Sequence, residues 1–117
     1  MHEMGITQQI LSQAFAAAEA EHGTRINEIR VSVGELTEIV ETALQFSFEV
    51  LRRDTIAEEG ELVVTIIKPY SRCTTCSHEF EHDRFDMTCP ECGGFLCENL
   101  RGRELRIDSI DIELEEE

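Results

Sequence analysis

Apolar residues recur at helical spacing over residues 4–22, where Ile6, Ile10, Ala14, Ala17 and Ala18, with Leu11 and Phe15 beside them, form one stripe. Gln8, Gln9, Gln13, Glu19 and Glu21 fall mostly elsewhere, so the segment reads as a helix covering a sheet, with Gly23 as its stop. The period then changes to two. Ile29, Val31 and Val33 alternate with Glu28, Arg30 and Ser32 over residues 25–34, the pattern of a half-buried strand ending at Gly34. Thr37 is expected to cap a second helix with Glu38 and Glu41 in its first turn, where the helix dipole favours negative charge. Val40, Leu44, Phe48 and Leu51 would share its apolar face, and Arg52 and Arg53 would close it. After a turn around Glu58, Glu59 and Gly60, the β-branched run from Leu62 to Ile67 predicts a central strand buried on both faces, ended by Pro69.

A last strand spans residues 104–114. Leu105 and Ile107 are out of phase with Ile110, Ile112 and Leu114, so a β-bulge is expected near Asp108 or Ser109. Its own neighbourhood offers no core, so this strand should return to the sheet of the first 69 residues. The expected fold class is α+β: a small mixed sheet with two helices, from residues 1–69 and 103–117, with a second module inserted at 70–102.

That insertion carries the strongest chemical signal. Cys73-Thr74-Thr75-Cys76 and Cys89-Pro90-Glu91-Cys92-Gly93 are two Cys-x-x-Cys pairs separated by a spacer of 12 residues. Each pair forms a tight turn whose sulfurs can bind one ion, and the spacer lets the chain go out and return. Four thiolates at one tetrahedral point suit a closed structural Zn²⁺ site, or an iron centre. Gly93 can take a positive φ after the second turn, a position that Ser77 fills less well after the first. His78 and His82 read as solvated spacer residues, and Cys97 as a small residue packed against the module.

Composition narrows the partners. A formal charge of −15, from 10 basic and 25 acidic side chains, argues firmly against nucleic acid as a partner, because a polyanion binder needs a basic face to release counterions. Four thiolates around one Zn²⁺ would add about two further negative charges. Cations and basic protein surfaces are the favoured partners. No apolar run reaches the length of a membrane span, so no membrane role is expected. The start Met1-His2-Glu3-Met4 lacks the cationic and apolar blocks of a leader; with the paired thiols it points to the reducing cytoplasm.

The same start holds a second candidate metal site. A free α-amine, the amide nitrogen of residue 2 and the His2 imidazole can chelate one ion through fused rings. Such a nitrogen set prefers square-planar geometry and so selects Ni(II) or Cu(II) over tetrahedral Zn²⁺. Glu3 adds an amide nitrogen or a carboxylate, and Glu38 and Glu41 are expected to support the site from the start of the second helix.

Taken together, Met1-His2-Glu3-Met4, Val33-Gly34-Glu35-Leu36, the paired cysteines and Gly102-Arg103-Glu104-Leu105-Arg106-Ile107 resemble the HypA/HybF family over essentially the whole chain. The resemblance implies a nickel metallochaperone of [NiFe]-hydrogenase maturation, not an enzyme, built as an α+β nickel-binding domain with an inserted zinc domain. It implies nickel (Ni²⁺ as cargo) at His2, with Glu3 and the Met1 amine at the same locus, and structural Zn²⁺ on Cys73, Cys76, Cys89 and Cys92. Implied partners are a HypB-type nickel GTPase and the hydrogenase large-subunit precursor; some members of the family also serve urease. A monomer or weak dimer is expected. Two rivals remain from the residues alone: a zinc-ribbon protein–protein adaptor, and a rubredoxin-like iron module. The iron module would leave the α+β core unexplained, and an aromatic content of 6 % supplies few of the rings expected around such a site.

Overall fold

A computed structural model describes residues 2–114 of the chain, with side chains from residue 3 onward. The elements follow as α1 (His2–Ala20), β1 (Gly23–Gly34), a 3-10 turn (Glu35–Thr37), α2 (Glu41–Leu51), β2 (Glu61–Ile67), β3 (Tyr70–Cys73), β4 (Glu79–Glu81), β5 (Cys97–Arg101) and β6 (Leu105–Leu114). Two three-stranded sheets result, ordered β2-β1-β6 and β4-β3-β5. The last strand does return to the first, as its missing local core requires. Contacts group the chain into two compact units, one of residues 1–31, 39–65 and 107–117 and one of residues 32–38 and 66–106.

In the first unit, the stripe of α1 that is buried runs Thr7, Ile10, Leu11, Ala14 and Ala18. Ala17, expected in the stripe, is exposed, and Thr7 takes part instead because its hydroxyl bonds back to the Glu3 carbonyl at 2.6 Å. The helix also stops earlier than expected. His22 takes the left-handed conformation (φ 57°), and Gly23 opens β1, where an added Cβ would meet the Ala18 carbonyl and the Ile112 side chain, each at 3.2 Å. Glycine is needed there for close approach.

β1 occupies the centre of its sheet. Ile26, Ile29 and Val31 are buried, and α2 adds Leu44, Ser47 and Phe48. The connection after α2 is held by its own polar groups: Arg52 donates to the Gly60 carbonyl at 2.6 Å and lies over the Phe48 ring. Two expectations for this unit need correction. Thr37 does not cap α2; its hydroxyl donates to the Gly34 carbonyl at 2.7 Å and closes the 3-10 turn. The helix starts later, at Glu41, with exposed Val40 as its N-cap, and the Val40 amide donates to the Glu3 carboxylate at 3.4 Å. The second correction is β2, an edge strand with half-exposed residues and not a central one. Three strands give only one centre, and β1 fills it because β6 pairs on its other side. Along β6, Ile107, Ile110 and Ile112 are half-buried, so burial changes phase across Asp108 and Ser109.

In the second unit, β3 runs between β4 and β5, antiparallel to both, with Tyr70 opposite Glu81 and Cys73 opposite Cys97. Residues 32–38 join this unit through a glycine crossing: a Cβ on Gly34 would overlap the Gly102 carbonyl, and Leu36 donates to that same carbonyl at 2.8 Å. Gly102 sits at φ 122°, open to glycine and strained for other residues.

Phe48 is 2 % exposed and Phe46, on the same helix, 64 %. Phe48→Ala should therefore lower unfolding free energy by about 3–5 kcal/mol in urea titration, against at most about 0.5 kcal/mol for Phe46→Ala.

Candidate metal centre

Cys73 ends β3, and its chain turns at once. The Ser77 amide donates to the Cys73 carbonyl at 2.9 Å, and the Cys73 amide donates to the His78 carbonyl at 2.8 Å. The second pair repeats this pattern position for position. Gly93 donates to the Cys89 carbonyl at 2.9 Å, and Cys89 donates to the Gly94 carbonyl at 2.7 Å. Ser77 (φ 65°) and Gly93 (φ 76°) hold the matching left-handed positions that turn each chain back. The two cysteine turns are thus one backbone device used twice.

The spacer that joins them is shaped by aspartates. Asp83 Oδ1 accepts from the Phe85 and Asp86 amides, each at 2.8 Å, and Asp86 Oδ1 accepts from Thr88 at 3.0 Å. The Thr88 amide and then its hydroxyl hold the Asp86 carboxyl below its ordinary range. These consecutive Asx turns lead directly into Cys89.

The four sulfurs lie within 4.8 Å of one another, with Cys73–Cys92 and Cys76–Cys89 at 3.6 Å. A tetrahedron with Zn–S bonds of about 2.3 Å has edges of about 3.8 Å, so the cluster needs only a small contraction to close on the ion. Cys73 and Cys89 are buried and Cys76 and Cys92 exposed. The four-cysteine cluster fits a structural zinc site.

The Cys76 and Thr75 amides hold Cys73 down to about 6. The His78 amide pulls Cys76 down, but burial and the other sulfurs outweigh it and push it up to about 12. Cys92 is also raised: the Gly94 amide lowers it, but the bond with Cys73 and its burial prevail. A divalent cation bound by the four sulfurs would displace the protons that Cys76 and Cys92 hold.

Several supporting residues carried little signal in the sequence. Phe80, 7 % exposed, packs with Cys73 and Cys89 beneath the sulfurs, and Cys97 packs against that cluster as expected. Gly94 lies against the site, where an added Cβ would stand 3.4 Å from Cys92 Sγ and 3.8 Å from Cys73 Sγ. His78 and His82 are half-buried and not merely solvated. His78 stacks on Phe80 with centroids 6.0 Å apart, and both nitrogens of His82 are engaged, at 2.7 Å each, with the Ser71 hydroxyl and the Asp83 carbonyl.

At the other candidate site, the backbone of His2 begins α1, while Met1 lies outside the described residues. Glu3 is half-buried with its carboxylate toward the Val40 amide. Glu38, expected to support that site, is exposed in the left-handed conformation (φ 62°) and lies 3.8 Å from Arg84.

The matched turns yield a paired prediction. Ser77→Gly should relieve left-handed strain and Gly93→Ala should add it, shifting thermal stability of the metal-loaded protein in opposite directions by about 1 kcal/mol each. Calorimetric melting of the two variants checks both signs.

Residues 1–112 match the family model described as "Hydrogenase/urease nickel incorporation, metallochaperone, hypA". A hydrogenase maturation factor HypA from Caldanaerobacter subterraneus subsp. tengcongensis is 36 % identical over 114 residues, covering 97 % of this chain and 100 % of the relative. That of Chlorobium luteolum is 37 % identical over 117 residues and covers both chains completely. Among solved structures, the fold is shared with the Ni metallochaperone HypA from Helicobacter pylori, at TM-score 0.67 and 21 % identity over 97 % of this chain and 98 % of that one. A second HypA solution structure aligns at TM-score 0.71 and 22 % identity, covering 98 % of each chain. The chain belongs to the HypA family, metallochaperones of nickel incorporation into hydrogenase and urease.

Proposed function

We propose that this chain carries Ni(II) at its first residues, on the Met1 amine, the His2 amide and imidazole and Glu3, and delivers it to a [NiFe]-hydrogenase during maturation. The observation that carries the reading is the family match, which runs from residue 1 and includes all three candidate ligands. The local backbone supports it. α1 begins at His2, and the first amides of a helix have no carbonyl four residues back to bond, so metal binding there breaks no helical hydrogen bonds. Nitrogen donors also suit the cargo, because they favour nickel over the hard cations that carboxylates bind.

Zinc would be structural, held by Cys73, Cys76, Cys89 and Cys92. All four corners are protein sulfur, so the site keeps no open position for substrate. The nickel domain would comprise residues 1–69 and 103–117, and the zinc module residues 70–102. A HypB-type nickel GTPase and the hydrogenase large-subunit precursor would be the partners, in the cytoplasm. The family is one of metallochaperones and not of enzymes.

Nickel titration calorimetry on protein with an authentic amino terminus tests the first site. His2→Ala, or one residue added before Met1, should bring nickel binding below detection while one zinc per chain and the circular dichroism spectrum persist. Unchanged nickel affinity in either variant would refute the terminal site.

The zinc site has its own test. Cys92→Ser should weaken zinc by more than the roughly 10- to 100-fold that loss of an outer partner costs, and leave nickel binding at the amino terminus intact. Competition with a chromogenic chelator measures it. Because Cys76 and Cys92 are raised and must lose protons to bind, zinc affinity should fall steadily on acidification from pH 8 to 6.

A further inference from the structure

Cys97 is the one thiol of five that the zinc reading leaves without a role. Its place in the sheet supplies one. β3 and β5 put Cys97 directly opposite Cys73. In an antiparallel pair, opposite residues alternate between hydrogen-bonded and non-hydrogen-bonded positions, and the backbone shows which this is. The Cys73 amide is spent on the His78 carbonyl, on the side away from β5, at 2.8 Å. The next pair along, Thr74 and Leu96, is hydrogen-bonded, with the Thr74 amide donating to the Leu96 carbonyl at 2.9 Å. Cys73 and Cys97 therefore form a non-hydrogen-bonded pair, the closer kind, with a Cα separation of about 4.5 Å and side chains on one face of the sheet. That separation lies within the range a disulfide spans, about 4.4–6.8 Å. Cys97 also packs against the buried cluster of Cys73, Phe80 and Cys89.

We propose that Cys97 is a resolving thiol for the metal centre: under peroxide it forms a cross-strand disulfide with Cys73, which withdraws one sulfur from the four-thiolate site and releases zinc. The inference rests on the zinc reading given above. In the reaction, the Cys73 thiolate attacks a peroxide oxygen, giving a sulfenic acid and hydroxide. The Cys97 sulfur then attacks Cys73 Sγ, the S–O bond breaks and water leaves. Its thiol proton goes to the departing oxygen, and the hydroxide takes a proton from solvent. The two sulfurs together lose two electrons, and the peroxide becomes two waters. Closure on Cys97 removes one ligand from the metal, whereas a disulfide between two ligand cysteines removes two. A small thiol reductant would reverse the bond and let zinc rebind.

The test uses the full zinc-loaded chain and one equivalent of hydrogen peroxide. Zinc release is followed with a chromogenic chelator, free thiols are then alkylated, and unreduced peptides are mapped by fragmentation. The expected first product is a Cys73–Cys97 link formed in step with zinc release, reversed by reductant and added zinc. Cys97→Ser should bind one zinc before oxidation and release it about threefold or more slowly, since the thiols left beside Cys73, with Cys92 at 3.6 Å, are themselves held as metal ligands. The proposal is overturned if the first disulfide joins two of the ligand cysteines, if Cys97 is fully alkylated after zinc has left, or if Cys97→Ser loses zinc at the wild-type rate. A Cys97→Ser chain that cannot bind zinc would also overturn it, because Cys97 would then be a ligand. If that variant does not fold, the disulfide map of the wild-type chain decides. Protein that purifies without zinc would refute the zinc reading, while the map would still decide the Cys73–Cys97 link.

Discussion

Four sulfurs held within 4.8 Å of one another are the contact on which the smaller sheet depends. The sheet β4-β3-β5 has strands of three to five residues, and its buried apolar cluster amounts to Cys73, Phe80 and Cys89. So little buried surface cannot offset the chain entropy of ordering the segment, and a metal supplies what the core lacks. Backbone amides lower Cys73; against the His78 amide, burial and the other sulfurs raise Cys76, and against the Gly94 amide, the bond with Cys73 and burial raise Cys92. Backbone amides prepare the site for the ion: those of Cys76 and Thr75 meet Cys73, that of His78 meets Cys76 and that of Gly94 meets Cys92, and each turn returns through a left-handed residue. The same turns leave Cys73 and Cys89 inside and Cys76 and Cys92 at the surface, so one edge of the sulfur cluster faces solvent.

The unit containing α1 and α2 is held together differently, by apolar burial. Ala14, Ala18 and Ala57 are buried with Ile26, Ile29, Leu44 and Phe48, and small residues let the elements approach closely. The amino-terminal segment is tied into this packing. Glu3 meets the Val40 amide at the start of α2, and Thr7 bonds back to the Glu3 carbonyl. The nickel site proposed on residues 1–3 would therefore adjoin a helix whose start is held by these bonds, and the first-turn amides, which a helix leaves unbonded, would be open to a metal.

The paired cysteines were legible because their geometry is local: a spacing of three fixes each turn, and Gly93 marks the left-handed position by its identity. Ser77 occupies the equivalent place with no such mark. Elements whose position depends on distant residues were harder to read. Thr37 has the chemistry of a helix cap, but its hydroxyl closes a 3-10 turn, while the amide at the true start of α2 is met by Glu3 from far along the chain. The run from Leu62 to Ile67 has the composition of a central strand, but centrality depends on which strand gains two neighbours, and the return of β6 gives that place to β1. The pairing of Cys73 with Cys97 was hidden for the same reason. It exists only once β5 is known to lie beside β3, and Glu98-Asn99-Leu100-Arg101 carries no strong strand signal.

Charge and donor chemistry divide the work of the molecule. The acidic excess of −15 includes Glu58, Glu59, Glu61, Asp108, Asp111 and Glu113, all in the unit that contains α1. Such a field raises the local concentration of every divalent cation and steers encounters with basic surfaces. It cannot choose nickel, because exposed carboxylates are hard oxygen donors that serve Mg²⁺ and Ca²⁺ as readily. Nor can the sulfur cluster choose it without giving up the ion that holds its own sheet together. In the proposed reading selection falls to nitrogen, on Met1 and His2 with the Glu3 amide beside them. A carrier that must also release its ion would gain from this separation: cargo held at the first turn of α1 could leave without taking a helical hydrogen bond, whereas removing metal from the cysteines would dismantle part of the smaller sheet.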